Sequence, residues 1–193
     1  IKSIGPSSAA IYAEYGSIGV VTNSGTILAN GSVSPVAMNL KYTTVQAVHN
    51  LQQGVIESSG SSGADAITLA GTKLSALENL GRIVSAGNGV VLDPHSSISS
   101  IQNLGIISAT AINRYGIRNE GTIDTLVNSQ SNLSYYGNLP GNYLVKIDSP
   151  SSYGQLVVTS PGGATNVGIY SSSTNVSPAA TALGADPSVF YLV

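Results

Sequence analysis

A repeat constrains this chain more than any other feature. Four ten-residue segments align without gaps: residues 20–29 (VVTNSGTILA), 76–85 (ALENLGRIVS), 100–109 (SIQNLGIISA) and 116–125 (GIRNEGTIDT). Each places an apolar residue and a spacer before Asn-x-Gly-x-Ile. The first column holds Val21, Leu77, Ile101 and Ile117, and the second holds Asn23, Asn79, Asn103 and Asn119. The third is Gly25, Gly81, Gly105 and Gly121, and the fourth is Ile27, Ile83, Ile107 and Ile123. A looser copy spans residues 49–57 (HNLQQGVIE), with two extra residues between Asn50 and Gly54. The marker asparagines Asn23, Asn50, Asn79, Asn103 and Asn119 are therefore spaced by 27, 29, 24 and 16 residues.

The similarity extends upstream in three copies. Ile11, Ile67 and Val91 stand twelve positions before the Asn, and Ile18, Leu74 and Ile98 stand five before it. The unit reads as a short strand, a corner containing Gly, Ser or Asp, a second strand, the Asn-x-Gly corner and a third strand. Apolar residues alternate with polar ones, as in half-buried strands. Asn and Gly suit corners where the chain bends sharply. A unit this short buries its apolar face only by stacking on neighbours, which predicts an all-β parallel β-helix, or β-solenoid. Coils about 4.8 Å apart would set each corner Asn over the next, so that their amides bond along the axis. The expectation is one buried stack of Ile27, Ile83, Ile107 and Ile123 and another of Val21, Leu77, Ile101 and Ile117. An antiparallel sandwich is the weaker reading, because hairpins do not need the same residue in the same column. Residues 45–53 (VQAVHNLQQ) have room for at most one or two helical turns, and 58–63 (SSGSSG) read as a flexible corner insertion.

The repeat stops after Leu126, and six of the ten tyrosines follow it, with the only Phe, Phe190. The domain reading is thus β-solenoid repeats over 1–134 and a Tyr-rich β cap over 135–193. Within the cap, 143–148 (YLVKID), 155–159 (QLVVT) and 166–170 (NVGIY) read as strands. Residues 171–187 are low in complexity, and 190–193 (FYLV) form a closing apolar strand.

Here the chain resembles a family. Tyr136, Leu139, Pro140, Asn142 and Tyr143, then Ile147-Asp148-Ser149-Pro150 and Ser152-Tyr153-Gly154-Gln155-Leu156, resemble the segment that precedes the outer-membrane barrel of autotransporter-type bacterial surface proteins. The repeats at 23–27 (NSGTI) and 119–123 (NEGTI) are similar to those of their passenger β-helices; the barrel itself is not among these residues. The resemblance implies a right-handed helix, exported and displayed outside a Gram-negative cell, with the Tyr-rich segment capping it. The first ten residues hold no basic region followed by an apolar run, so any export leader is expected to have been removed before Ile1.

Charge and composition narrow the chemistry. Charged residues are 8% of the chain and the net charge is −2, with seven Lys and Arg, which gives no footprint for nucleic acid. There is no Cys, which excludes disulfides and thiolate sites. No apolar run is long enough for a transmembrane helix. Asp93, His95 and Ser96 invite a hydrolytic triad, but Asp-Pro-His-Ser reads better as a solvated corner. Glu120 and Asp124, with Arg114 and Arg118, read as a salt-linked face rather than a substrate site. The remaining carboxylates are scattered, unlike the clusters of polysaccharide-cleaving β-helices. Sequons at Asn30, Asn132 and Asn175 read as turn residues. The sequence therefore points to a non-enzymatic structural or adhesive protein without cofactor or metal. Its expected partner is a second copy at the solenoid ends, with a surface glycan or host surface as the alternative.

Overall fold

The fold is a three-walled parallel β-helix of about six turns. A computed structural model describes residues 1–60 and 63–171. The first turn carries β1 (Lys2–Ile4) and β2 (Ala9–Asn23), and the second β3 (Thr26–Gly31) and β4 (Val36–Asn50). Next come β5 (Val55–Gly60), β6 (Ile67–Ala70) and β7 (Lys73–Asn79), then β8 (Arg82–Ser85), β9 (Val90–Leu92) and β10 (Ser97–Asn103). The fifth turn is β11 (Ile106–Ala109), β12 (Ile117–Asn119) and β13 (Thr122–Asn128). The chain goes on through β14 (Leu133–Asn138), β15 (Asn142–Val145), β16 (Ile147–Ser149), β17 (Ser152–Tyr153), β18 (Leu156–Gly162) and β19 (Asn166–Ile169).

One wall stacks β1, β3, β5, β8 and β11. The long strands β2 and β4 each span the other two walls. Their first halves continue into β6, β9, β12, β14 and β18, and their second halves into β7, β10, β13, β15 and β19. Every pairing among the described residues is parallel except β16 with β17, which excludes the antiparallel sandwich. Residues 45–50, considered above for a helical turn, lie on β4.

Period-two alternation builds most strands: Ile67 and Leu69 face inward on β6, and Val90 and Leu92 on β9. The third wall breaks that rule. In β7 and β10 the buried pairs Leu74/Leu77 and Ile98/Ile101 are three residues apart, with two more exposed residues between them. Strict alternation would turn one of each pair outward, so the strand bends there and both remain in the core.

The register corrects the expected stacks. Ile27, Ile56, Ile83 and Ile107 form one column, and the looser copy at Asn50 joins the repeat as a full member. Ile123 is absent from that column and pairs with Ile98 on the third wall. Ile117 pairs with Val90 on the second wall instead of joining Val21, Val48, Leu77 and Ile101, whose next partner is Leu126. Ile67 likewise pairs with Val90, which sends Val91 outward, because the following corner holds an extra residue.

The boundary at residue 134 does not exist in the pairing. β14 and β15 extend the second and third walls in parallel, and β18 and β19 stack on them in turn. Tyr135 and Tyr143 lie in the core columns, below Ile117 and Leu126. The strands expected at 143–148, 155–159 and 166–170 overlap β15, β18 and β19, which stack on those two walls, whereas Ile147 and Asp148 belong to the antiparallel β16–β17 pair. The closing segment 190–193 lies outside the described residues. The first wall ends at β11, where the Gln130 side chain takes the place of a strand. Its Oε1 accepts the Ile107 N–H at 2.8 Å and its Nε2 donates to the Ile107 carbonyl at 3.1 Å.

Ile107 is fully buried, whereas its neighbour Ile106 is 46% exposed. Ile107→Ala is expected to cost about 2–5 kcal/mol in urea denaturation, and Ile106→Ala less than about 0.5 kcal/mol. Equal costs would contradict the register.

Candidate functional site

The repeat residues form an amide ladder inside the corner between the third and first walls. Asn23 Nδ2 donates to Asn50 Oδ1 at 2.8 Å, Asn50 to Asn79 at 2.8 Å, Asn79 to Asn103 at 2.9 Å and Asn103 to Asn128 at 3.0 Å. The interior rungs also give an amide hydrogen to the chain after the corner: Asn50 to the Gly54 carbonyl and Asn79 to that of Ile106. Asn50, Asn79, Asn103 and Asn128 are fully buried, so these bonds offset a desolvation that would otherwise be costly. A Cβ on Gly81 would collide with the Gly54 carbonyl, and one on Gly105 with that of Gly81. Close approach between coils, rather than positive φ, therefore requires glycine at those two positions.

Asn119, Gly121 and Ile123 belong to a different corner. Asn119 sits between the second and third walls, above Gly137 and below Leu92, and its Oδ1 finds no partner. Its Nδ2 donates to the Tyr135 hydroxyl at 2.9 Å and the Asn138 carbonyl at 2.7 Å. The true fifth rung is Asn128, 25 residues after Asn103. No glycine follows it; Gln130 stands there, so Asn128 lacks the Asn-x-Gly signature. Coil length would have found it, since Asn119 follows Asn103 too soon for a full turn.

Both asparagine positions end on tyrosine. Asn128 Nδ2 reaches the Tyr143 hydroxyl at 3.3 Å, as Asn119 reaches Tyr135. Burial pushes the Tyr143 phenol up to about 12, opposed by the Asn128 bond, and pushes Tyr135 up further, opposed by that of Asn119.

The remaining candidate residues do not assemble a reaction centre. Ser96 Oγ donates directly to Asp93 Oδ1 at 2.5 Å, with no imidazole between them. The Asp93 carboxylate also accepts the N–H groups of Gly71 and His95, which pins the corner to the coil above. Those bonds hold its carboxyl below the usual range, although burial pulls the other way. Arg118 pairs with Glu120 at 2.5 Å, an exposed contact of small energetic weight. Asp124 lines an open groove of about 310 Å³ with Thr122, Asn138 and four glycines; Glu120, Arg114 and Arg118 lie outside it. No group of three His, Cys, Asp or Glu suited to a metal ion occurs among the described residues.

An exposed aromatic cluster escaped the sequence reading. Tyr15 and Tyr42 turn the corner between the second and third walls in the first two coils, and their rings stack at 5.1 Å and 11°. Beside them Tyr12 donates to Glu14 at 2.5 Å, and Lys41 Nζ lies 5.7 Å over the Tyr12 ring. The signal was available: counting back eight residues from Asn23, Asn50 and Asn79 reaches Tyr15, Tyr42 and Gly71. No family model, curated protein or solved structure matches the chain. No helix among the described residues is long and apolar enough to cross a membrane.

Two outcomes follow. Asn79→Leu removes the bonds to Asn103 Oδ1 and the Ile106 carbonyl and leaves the Asn50 amide without its rung acceptor, and is expected to cost about 1–3 kcal/mol. Asn119→Leu gives up an amide whose oxygen is already orphaned and extends the Leu69–Leu92 column, so it should cost markedly less in the same denaturation series. The tyrosines give a pH signature. A raised phenol pKa adds stability below the ordinary value of about 10 that is lost as pH climbs towards 12. The melting temperature is expected to hold to about pH 10 and then fall. The Tyr135→Phe/Tyr143→Phe double variant should flatten that fall; an unchanged slope would show that these phenols do not cause it.

Proposed function

We propose that the protein is a non-enzymatic structural and adhesive β-helix of a Gram-negative cell surface, one that associates with further copies of itself into filaments or a surface layer. The observation that carries this reading is the axial bonding. From Asn23 to Asn128 each coil presents the next with a parallel edge and an amide rung, while side chains outside the wall take no part in that bonding. Such a wall serves as a rigid spacer whose corners vary freely.

Two further observations support it. The edge of β2 away from β4 has the geometry to take a further parallel strand, from the same polypeptide or from a second copy. With 8% charged residues, little repulsion opposes that contact. The location rests on the resemblance of residues 136–156 to the pre-barrel segment of autotransporter-type proteins, residues that here form the last coils. A second reading, a monomeric passenger that grips a host or glycan surface, is favoured by the exposed tyrosines.

Analytical ultracentrifugation with negative-stain microscopy tests the proposal on the purified 193-residue chain. Rods that lengthen with concentration in the micromolar range are expected. A sharp monomer throughout would overturn self-association and leave the monomeric passenger. New reducing ends released from polysaccharides would overturn the non-enzymatic reading.

A further inference from the structure

We infer that the tyrosine corner of the first two coils is a saccharide platform, built to stack against the ring faces of a neutral hexopyranose chain. The inference deepens the surface reading above and rests on it.

The backbone at this corner is strained. Tyr15 and Tyr42 have φ of 54° and 48°, a strained left-handed conformation that bulky side chains rarely adopt. The next coil meets the same turn with Gly71 at φ 61°, so glycine satisfies the corner without strain. Packing does not hold the tyrosines there, because Tyr15 is 74% and Tyr42 57% exposed. Two strained aromatic side chains that bury little are held for something outside the wall.

The two rings are also arranged as a flat stack. A Cβ on Gly71 would lie 2.6 Å from Tyr42 Cδ1, so the absent side chain lets the Tyr42 ring rest on the backbone. Tyr15 stacks on the other face of Tyr42, nearly parallel to it, leaving its own far face to solvent. A flat apolar ring face of this kind suits the C–H face of a pyranose, which presents axial hydrogens with hydroxyls at its rim. Here the rim is polar: the Tyr12 hydroxyl, the Glu14 carboxylate and the Lys41 ammonium, with Glu14 and Lys41 opposite each other in register. Their charges cancel, which selects a neutral chain over a uronate or sulfated one.

Titration with cellohexaose, maltohexaose and chitohexaose, followed by calorimetry and tyrosine fluorescence, tests this; the chain has no Trp to mask the signal. At least one is expected to bind one per chain, with Tyr15→Gly and Tyr42→Gly each weakening it about tenfold or more. Both variants should melt at or above the wild-type temperature, since glycine releases the strain. Tyr15→Phe should keep the binding, because it keeps the ring face. Tyr15→Asn, which also tolerates positive φ, carries the test if a glycine variant fails to fold. Failure of all three oligosaccharides to bind at about 10 mM, or unchanged binding in the Tyr15→Gly/Tyr42→Gly double variant, overturns the inference. Rods that form without binding sugar would sink this inference alone and leave the structural role standing.

Discussion

A buried primary amide is the constraint on which this structure depends. An asparagine side chain brings two donors and an acceptor into a core lined mostly by Ile, Leu and Val, where an unpaired polar atom is costly. Its partners must lie along the axis, because neighbouring coils sit about 4.8 Å apart and place like residues over like. Asn50, Asn79 and Asn103 meet that demand by pairing with one another. The ladder ties successive coils into one register, so a slip at one corner would orphan every rung beyond it. Coil length is free to vary as long as each Asn returns to its rung. The spacings of 27, 29, 24 and 25 residues are absorbed at all three corners: extra residues follow Asn50, the second-to-third corner lengthens after Leu92, and the first-to-second corner varies most.

The same constraint accounts for the change in composition after Leu126. A ladder needs an end, and the last amide hydrogen needs an acceptor. Tyr143 supplies one for Asn128, and Tyr135 supplies one for the isolated Asn119. The first wall has no strand in this turn, and two buried phenol rings occupy the core columns of the other two walls. Gln130 closes the first wall with a side-chain amide shaped like the peptide group that would otherwise follow. The rise in tyrosine thus marks the end of a repeat within one solenoid.

Because the core carries the stability, the outer surface is left open to function. The Asp93–Ser96 corner shows the bland use of that freedom: a carboxylate and a hydroxyl that hold a turn together. The Tyr15–Tyr42 corner shows another, in which backbone strain is accepted to hold two aromatic faces in solvent. Proposals for this protein therefore belong to its outward residues, and the inward columns explain only why they are held in place.

The sequence by itself determined the fold class, the order of strand and corner within a coil, and most of the core. Columns at Asn23, Asn79 and Asn103, with alternation around them, leave few structures other than stacked parallel coils. It did not decide which corner a motif occupies. Asn-x-Gly-x-Ile encodes a bend followed by an inward apolar residue, and both kinds of corner use that bend, so the copy at Asn119 reads like the others. Only the tertiary structure sets it beside Leu92 and passes the rung to Asn128. The choice depends on how many residues complete a turn and on what lies in the coil above, and neither is a property of ten adjacent residues.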